Sequence, residues 1–321
     1  MSATLPTTRV RAGGPPRTTA PNRSANSPRG AWTARQGRWG YLMVAGSVLG
    51  LGLFQLAPLI WAMSESVQTF NPITHRPLGF VGLENFSVIF EDAAFWQATK
   101  NTLLYCAGTT IVELVLGLSI ALLLDRVLPI TPIARTAVIA ALALSESVTA
   151  LLWFTLLDAD TGLVNGLAGL LGIQPVGWLT SAPASMISVI LVTVWRDVGL
   201  VVLIYLAGLQ NLDGELYSAA AVDGAGPLQR FRHLTLPLLR RSSVLAVFMV
   251  TITAIRIFTP IVIMTQGGPS GSSQNLIYYT YVQGVENLDY GVGSATTVCL
   301  ILLLIIITAV QALALRTGTK S

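Results

Sequence analysis

Residues 218–237 read SAAAVDGAGPLQRFRHLTLP, a run of small residues, an Asp-Gly pair, two prolines and two arginines set between long apolar segments. The 321-residue chain is 53% hydrophobic and 11% charged, where an ordinary soluble domain carries about 25% charged residues. The gaps between charges are long enough for a bilayer, which a helix crosses in roughly 20 apolar residues. An integral membrane protein is expected, all-α and polytopic.

Working outward from the stretch, six apolar runs stand out: 39–63, 102–124, 134–157, 183–206, 243–264 and 291–315. Transmembrane strands would show alternating segments of about ten residues, and these runs do not alternate. Helices rising 1.5 Å per residue over such lengths cover a hydrocarbon core of about 30 Å. The organisation expected is a basic tail over 1–38, a six-span domain over 39–316 and a short C-terminal end over 317–321.

Charge sets the orientation. The tail, the 125–133 turn with its edge, the 207–242 segment and the C-terminus hold 15 of the 19 Lys/Arg, and the loops on the other side hold two, Arg76 and Lys100. The positive-inside rule puts both termini and the 218–237 stretch in the cytoplasm. The tail has seven arginines, no acid and abundant Pro, Ser, Thr and Gly, a composition that favours disorder and does not read as a standard signal peptide. Cys106 and Cys299 lie in separate apolar runs without metal-ligand spacing and read as small buried hydrophobes.

A connector between two spans needs only a few residues, yet the one from 207 to 242 takes about 35. Asp213 is placed to cap a helix over 212–222, with Leu212, Leu216, Ala219 and Ala220 at helical spacing. Asp223-Gly224 then makes a turn, Pro227 opens a second short helix carrying Leu228, Phe231 and Leu234, and Pro237 stops it. Two readings fit equally: a small-residue surface on which another protein docks, or an amphipathic segment lying on lipid.

The segment ELYSAAAVDGAGPLQRFRHLTLPLLR resembles the EAA loop of permease subunits of binding-protein-dependent ABC importers of the carbohydrate-uptake type. That loop runs Glu-Ala-Ala, three residues, Gly, about nine residues, then Ile/Leu-x-Leu-Pro. The match passes through Ala219, Ala220, Asp223, Gly224, Ala225, Phe231, Leu236 and Pro237. It departs at Ser218, where the family has its glutamate, with Glu215 one turn earlier. The stretches 80–105, 158–172, 192–212 and 264–295 are similar to corresponding parts of these permeases, so the resemblance covers about residues 40–316. The Thr-Gln-Gly-Gly-Pro run before Leu-Ile-Tyr is similar to the subgroup importing glycerol-3-phosphate or glycerophosphodiesters; oligosaccharides are the other substrate class implied.

The resemblance implies a type I importer fold in a bacterial plasma membrane. The implied partners are a second permease, two ATPase subunits holding ATP and Mg, and an extracytoplasmic solute-binding protein. The 212–240 segment would be the coupling element seated in an ATPase cleft, with Gly224 needed because a side chain would block the close corner. No Gly-x-x-x-x-Gly-Lys-Ser/Thr occurs in the chain, and neither a metal constellation nor a catalytic triad can be assembled. A non-catalytic subunit is expected, without a cofactor or nucleic acid.

Charges inside spans cost roughly 2.5–3.5 kcal/mol each on insertion scales and face cavities or partners. Glu113, Glu146, Arg196, Asp197 and Arg256 are such charges. Adjacent on a helix, Arg196 and Asp197 point about 100° apart and need not pair. Glu146, Trp195, Arg196 and Arg256 are the candidates for the solute path, with interhelical bracing the competing role; Glu113 reads as packing support. The rival function is an ion-gradient-driven transporter, which would show broken spans and ion-coupling carboxylates.

Overall fold

A computed structural model describes residues 34–71, 73–74, 76–126 and 129–317. Most of the basic tail expected over 1–38 lies outside these residues, as do His75 and 318–321 of the C-terminal end. The chain divides into two units, Met1–Leu56 and Ala57–Ser321. The described part of the first is helix α1 (Ala34–Leu51) and a π-helical turn, Gly52–Leu56.

The second unit begins with α2 (Ala57–Glu65) and a two-stranded antiparallel ribbon, β1 (Gln68–Phe70) with β2 (Pro77–Phe80), a minor departure from the all-α expectation. Helix α3 (Glu84–Glu91) leads into the 32-residue α4 (Ala93–Leu124). Asp92 starts α4: its carboxylate accepts the Ala94 N–H at 2.8 Å and the Tyr279 hydroxyl at 2.6 Å, occupying one of the free amides of a helix start. Then follow α5 (Thr131–Ala140), a 3₁₀ turn (Ala141–Ala143), α6 (Glu146–Leu156), α7 (Leu163–Leu170) and the 29-residue α8 (Ala182–Gln210).

Beyond α8 come α9 (Gly214–Val222), α10 (Pro227–Arg230), a π-helical turn over Phe231–Thr235, α11 (Leu236–Leu238) and α12 (Arg240–Ile255). A π-helical turn over Ile261–Thr265, α13 (Leu276–Tyr281), a further π turn over Val282–Glu286 and α14 (Tyr290–Thr317) complete the described chain.

Among the described residues, four helical segments are long and apolar enough to cross a membrane: Met43–Glu65, Ala93–Leu124, Ala182–Gln210 and Tyr290–Ala314. Two further pairs make six if each counts as one span: Thr131–Ala143 with Glu146–Leu156, bent by 101°, and Pro227–Leu238 with Arg240–Ile255, bent by 64°. The continuous third run 134–157 is therefore corrected to a broken one. Leu144 is extended (φ −75°, ψ 137°), and a new helix starts behind Ser145 with Glu146 in its first turn, where an acid complements the helix dipole. The fifth run, 243–264, ends as helix at Ile255. Helix resumes at Thr259 with Pro260 in its first turn, and in the gap the Ile257 carbonyl accepts from the buried Asn275 amide at 2.6 Å.

The centre of the second unit is α8 against α4 and α12. Ala121 and Leu124, Val194, Val198, Val201, Val202, Tyr205 and Leu206, and Leu239, Ala246 and Val250 form one buried cluster. Gly117 of α4 lets α8 come close: a methyl group there would stand 2.5 Å from Val201 Cγ1 and 2.9 Å from its Cβ. Gly117→Val is expected to overpack this interface by about 1–3 kcal/mol, read as a lowered thermal midpoint of the detergent-solubilised protein. Cys106 is buried against Tyr105 and Val189, and Cys299 is partly buried beside the cluster of Ile89, Phe95 and Leu276, both as free thiols.

The loop between α12 and α13 is fastened to the helices by buried polar groups. Asn101 of α4 donates to the carbonyls of Gly271 and Gln274, both at 2.8 Å, and the Leu276 N–H donates to Thr102 Oγ1 at 2.9 Å. Each bond removes a main-chain group from the need for water, which lets an irregular loop pack against a span.

Candidate functional site

Two places bring the singled-out residues together. The first is the corner between α9 and α10. Asp213 caps α9 by accepting the Glu215 N–H at 2.9 Å. At the other end the Gly224 N–H donates to Ala221 O at 3.2 Å and the Ala225 N–H to Ala220 O at 2.9 Å. These two bonds are the paired closure of a Schellman helix end, and they require a left-handed residue at position 224. Gly224 supplies it with φ +80°.

The physical reason for that glycine is corrected here. A Cβ at Gly224 would meet nothing within 4 Å, so backbone handedness and not lack of space excludes a side chain. Across the corner the Gly226 N–H donates to Gln229 Oε1 at 2.9 Å, which holds the first turn of α10. Pro237 does not stop the second helix. It lies inside a helix that runs from Pro227 to Leu238, directly behind the π-helical turn over Phe231–Thr235, and the chain turns only at Leu239.

Ala220, Asp223, Gly224, Ala225, Gln229, Arg230, His233 and Leu234 line a hollow of about 450 Å³ at this corner. Glu215, Ser218, Ala219 and Asp223 are exposed, Ala220, Ala225 and Phe231 half-buried, and Leu236 and Pro237 exposed. Ser218 turns its hydroxyl back onto Gly214 O at 3.1 Å, whereas Glu215 carries its carboxylate on the same short helix. Flanking the corner, Val222 is 89% and Leu228 77% exposed, two apolar side chains left uncovered by their own chain. Arg230 has a buried Nε without a hydrogen-bond partner among the described residues.

Two residues fix the corner to the helices, Leu212 of the apolar spacing and Tyr217, which is not anticipated from the sequence. Tyr217 shares a hydrogen bond with the buried Thr235 hydroxyl at 2.9 Å, and Leu212 packs against the α4–α8–α12 cluster. Tyr217 offers a signal, a phenol within a small-residue helix, but nothing in the sequence points to a partner 18 residues away. Tyr217→Phe is expected to loosen the corner by about 0.5–1.5 kcal/mol, the size of one net hydrogen bond, read as faster hydrogen exchange of the α9 amides.

The second place lies halfway along α8. Arg196, the fifteenth residue of this 29-residue helix, binds Asp197 through Nε–Oδ1 at 2.7 Å and Nη2–Oδ2 at 3.1 Å. The sequence leaves the pairing of these neighbours open; they do pair, because the arginine arm is long enough to fold back across the roughly 100° between them. Arg196 Nη1 also stands 3.6 Å from Glu146 Oε2 at the start of α6. Glu146, Thr193, Arg196, Asp197, Thr253, Arg256 and Ile257 line one cavity of about 210 Å³.

Three of the four path candidates, Glu146, Arg196 and Arg256, thus meet. Trp195 does not line this cavity; it is 42% exposed and packs edge-on against Trp153 with ring centres 5.6 Å apart. Thr193 and Thr253 each lie three residues before an arginine, on the same helix face. That spacing is the signal which could have placed them with it. The Thr193 hydroxyl is spent on Val189 O and on the Tyr105 phenol, which donates to it at 2.6 Å. Glu113 is buried on α4 and does not line the cavity. Among the described residues no group of three His, Cys, Asp or Glu could hold a metal ion.

The chain matches the family described as binding-protein-dependent transport system inner membrane component over residues 92–316. It is 33% identical over 282 residues to the trehalose/maltose transport system permease protein MalF of Thermococcus litoralis, covering 86% of this chain and 93% of that one. It is 33% identical over 276 residues to the sulfoquinovosyl glycerol transport system permease protein SmoG of Agrobacterium fabrum (86% and 90%). It is 32% identical over 277 residues to the sn-glycerol-3-phosphate transport system permease protein UgpA of Yersinia pestis (84% and 92%).

In fold it is similar to a chain of a bacterial alginate ABC transporter crystallised with a pentasaccharide-bound periplasmic protein. The TM-score is 0.79 at 22% identity, over 91% of this chain and 99% of that one. The helix order, the glycine corner between the fourth and fifth spans, and these likenesses make one statement: the chain belongs to the family of inner membrane components of binding-protein-dependent transport systems, as a permease subunit with the type I ABC importer fold.

Proposed function

We propose that the chain is one of two permeases enclosing a path for a sugar or a glycerophosphodiester-type solute, moved into the cytoplasm by ATP hydrolysis on separate subunits. The observation that carries this reading is the α9–Gly224–α10 corner, a rigidly closed helix end with uncovered Val222 and Leu228 on either side of a hollow. Apolar anchors beside a pocket, with a polar rim from Asp223, Arg230, Arg232 and His233, have the composition of a docking surface.

The occupant would be an ATPase subunit holding ATP and Mg. The excess of Lys/Arg on that side supports placing the corner and both termini in the cytoplasm. Closure of two ATPases would move the two coupling corners and, with them, the spans as rigid bodies between two states. Glu215 would supply the acidic contact that Ser218 lacks. A solute-binding protein on the opposite face would deliver the cargo. The substrate classes follow those named for the relatives, and the cavity at Glu146, Arg196 and Arg256 would lie on the path.

The test is uptake by the complete importer in proteoliposomes. Uptake should require ATP on the coupling-corner side and survive dissipation of sodium and proton gradients; uptake that follows an ion gradient without ATP contradicts the reading. The path is tested separately by Thr253→Cys in a chain carrying Cys106→Ser and Cys299→Ser. Alkylating the new thiol should block uptake, and unchanged uptake would remove the cavity from the path.

A further inference from the structure

The cations of the mid-span cavity differ in their partners. Arg196 is answered by Asp197, whose two oxygens it binds, and by Glu146 at 3.6 Å. Arg256 lines the same cavity, is exposed there, and its guanidinium has no ion pair or hydrogen bond among the described residues. It stands at the C-terminal end of α12, where the helix dipole eases its charge but supplies no counter-ion. The hydroxyl of Thr253, three residues earlier, is turned back onto Met249 O and Val250 O at 3.1 and 2.9 Å and offers the cavity no proton.

The uncompensated positive charge in this cavity therefore belongs to one guanidinium, beside a second whose charge is already answered. We infer that Arg256 is an anion-recognition residue, and that the cavity selects solutes carrying a phosphate, sulfonate or carboxylate beside their hydroxyls. A guanidinium binds such groups through two parallel N–H···O bonds, a geometry that a neutral hydroxyl does not satisfy. Glu146 and Asp197 have their charge answered by Arg196, and their remaining lone pairs are acceptors for solute hydroxyls. The inference rests on the path reading of the cavity, which the alkylation of Thr253→Cys tests by itself.

Charge selection is tested with probe pairs that share a skeleton: glucuronate against glucose, and sn-glycerol 3-phosphate against glycerol. Binding at millimolar concentration is measured by saturation-transfer NMR on the complete importer in nanodiscs, without its binding protein. The wild type should prefer the anion of at least one pair tenfold or more. Arg256→Gln should reduce that preference below twofold without changing affinity for the neutral member, and Arg256→Lys should keep part of it. A wild type that shows no preference in either pair, including no binding at all, overturns the inference, as does a preference that survives Arg256→Gln. Uptake still blocked by alkylation alongside either result leaves the path reading standing and removes only the anion role.

Discussion

Replacing Gly224 by valine is expected to cut uptake about tenfold while ATP hydrolysis continues and the protein reaches the membrane at normal abundance. The left-handed conformation at φ +80° costs an L-residue about 1–2 kcal/mol, and a β-branched side chain fares worst. The residue escapes that cost by abandoning the conformation, and the bonds from Gly224 to Ala221 and from Ala225 to Ala220 go with it. A shift of that size changes the population of the closed corner by about five- to thirtyfold, enough to disconnect it from a partner that moves it. Gly224→Asn separates two explanations, because asparagine tolerates this conformation. Near-normal uptake in Asn beside a failed Val assigns the effect to the backbone. Equal failure of both points to a partner packed against the α-carbon, since among the described residues nothing lies within 4 Å of a Cβ there.

Asp197→Ala carries the second large effect. It leaves Arg196 inside a span with only Glu146 at 3.6 Å, and breaking such a pair costs about 3–5 kcal/mol when buried. The two side chains are 21% and 19% exposed, so the lower end, about 3 kcal/mol, is expected as a fall in thermal midpoint. Arg196→Met with Asp197→Leu should recover most of that stability, because an apolar pair of similar volume has no charge to strand. Uptake decides between bracing and passage. The recovered double variant should fold and yet transport at least about tenfold less, the weight of one charge-assisted hydrogen bond to the solute. Normal transport by that variant would make the pair a brace and nothing more.

The corner is legible in the sequence because its parts act locally. Asp213 caps a helix whose first turn it begins, Gly224 follows an Asp, and Pro227 opens a turn; each choice is settled within a few residues. The break in the third span is hidden, although Ser145 followed by Glu146 is a helix-start pattern, since apolar runs on both sides of Ser145–Ser147 add up to one span's length and a lone in-span charge is equally compatible with a continuous helix. Broken spans are what an ion-coupled carrier would show. The break here lacks glycine and proline, and the family to which the chain belongs decides for ATP-driven import. The pairing of Arg196 with Asp197 escapes a sequence reading because helical geometry fixes where side chains leave the backbone, not where a four-bond arm ends. The cavity gathers residues from α6, α8 and the end of α12, and only the packing of α8 on its neighbours could bring them together.

Coupling through the corner is tested most directly by a photoactivatable amino acid in place of Val222, an apolar side chain 89% exposed beside Gly224, in the complete importer in native membranes. Irradiation should join this chain to the ATPase subunit, with a yield that changes when ATP is bound. Cross-links confined to lipid or to the second permease, at any nucleotide state, would contradict it.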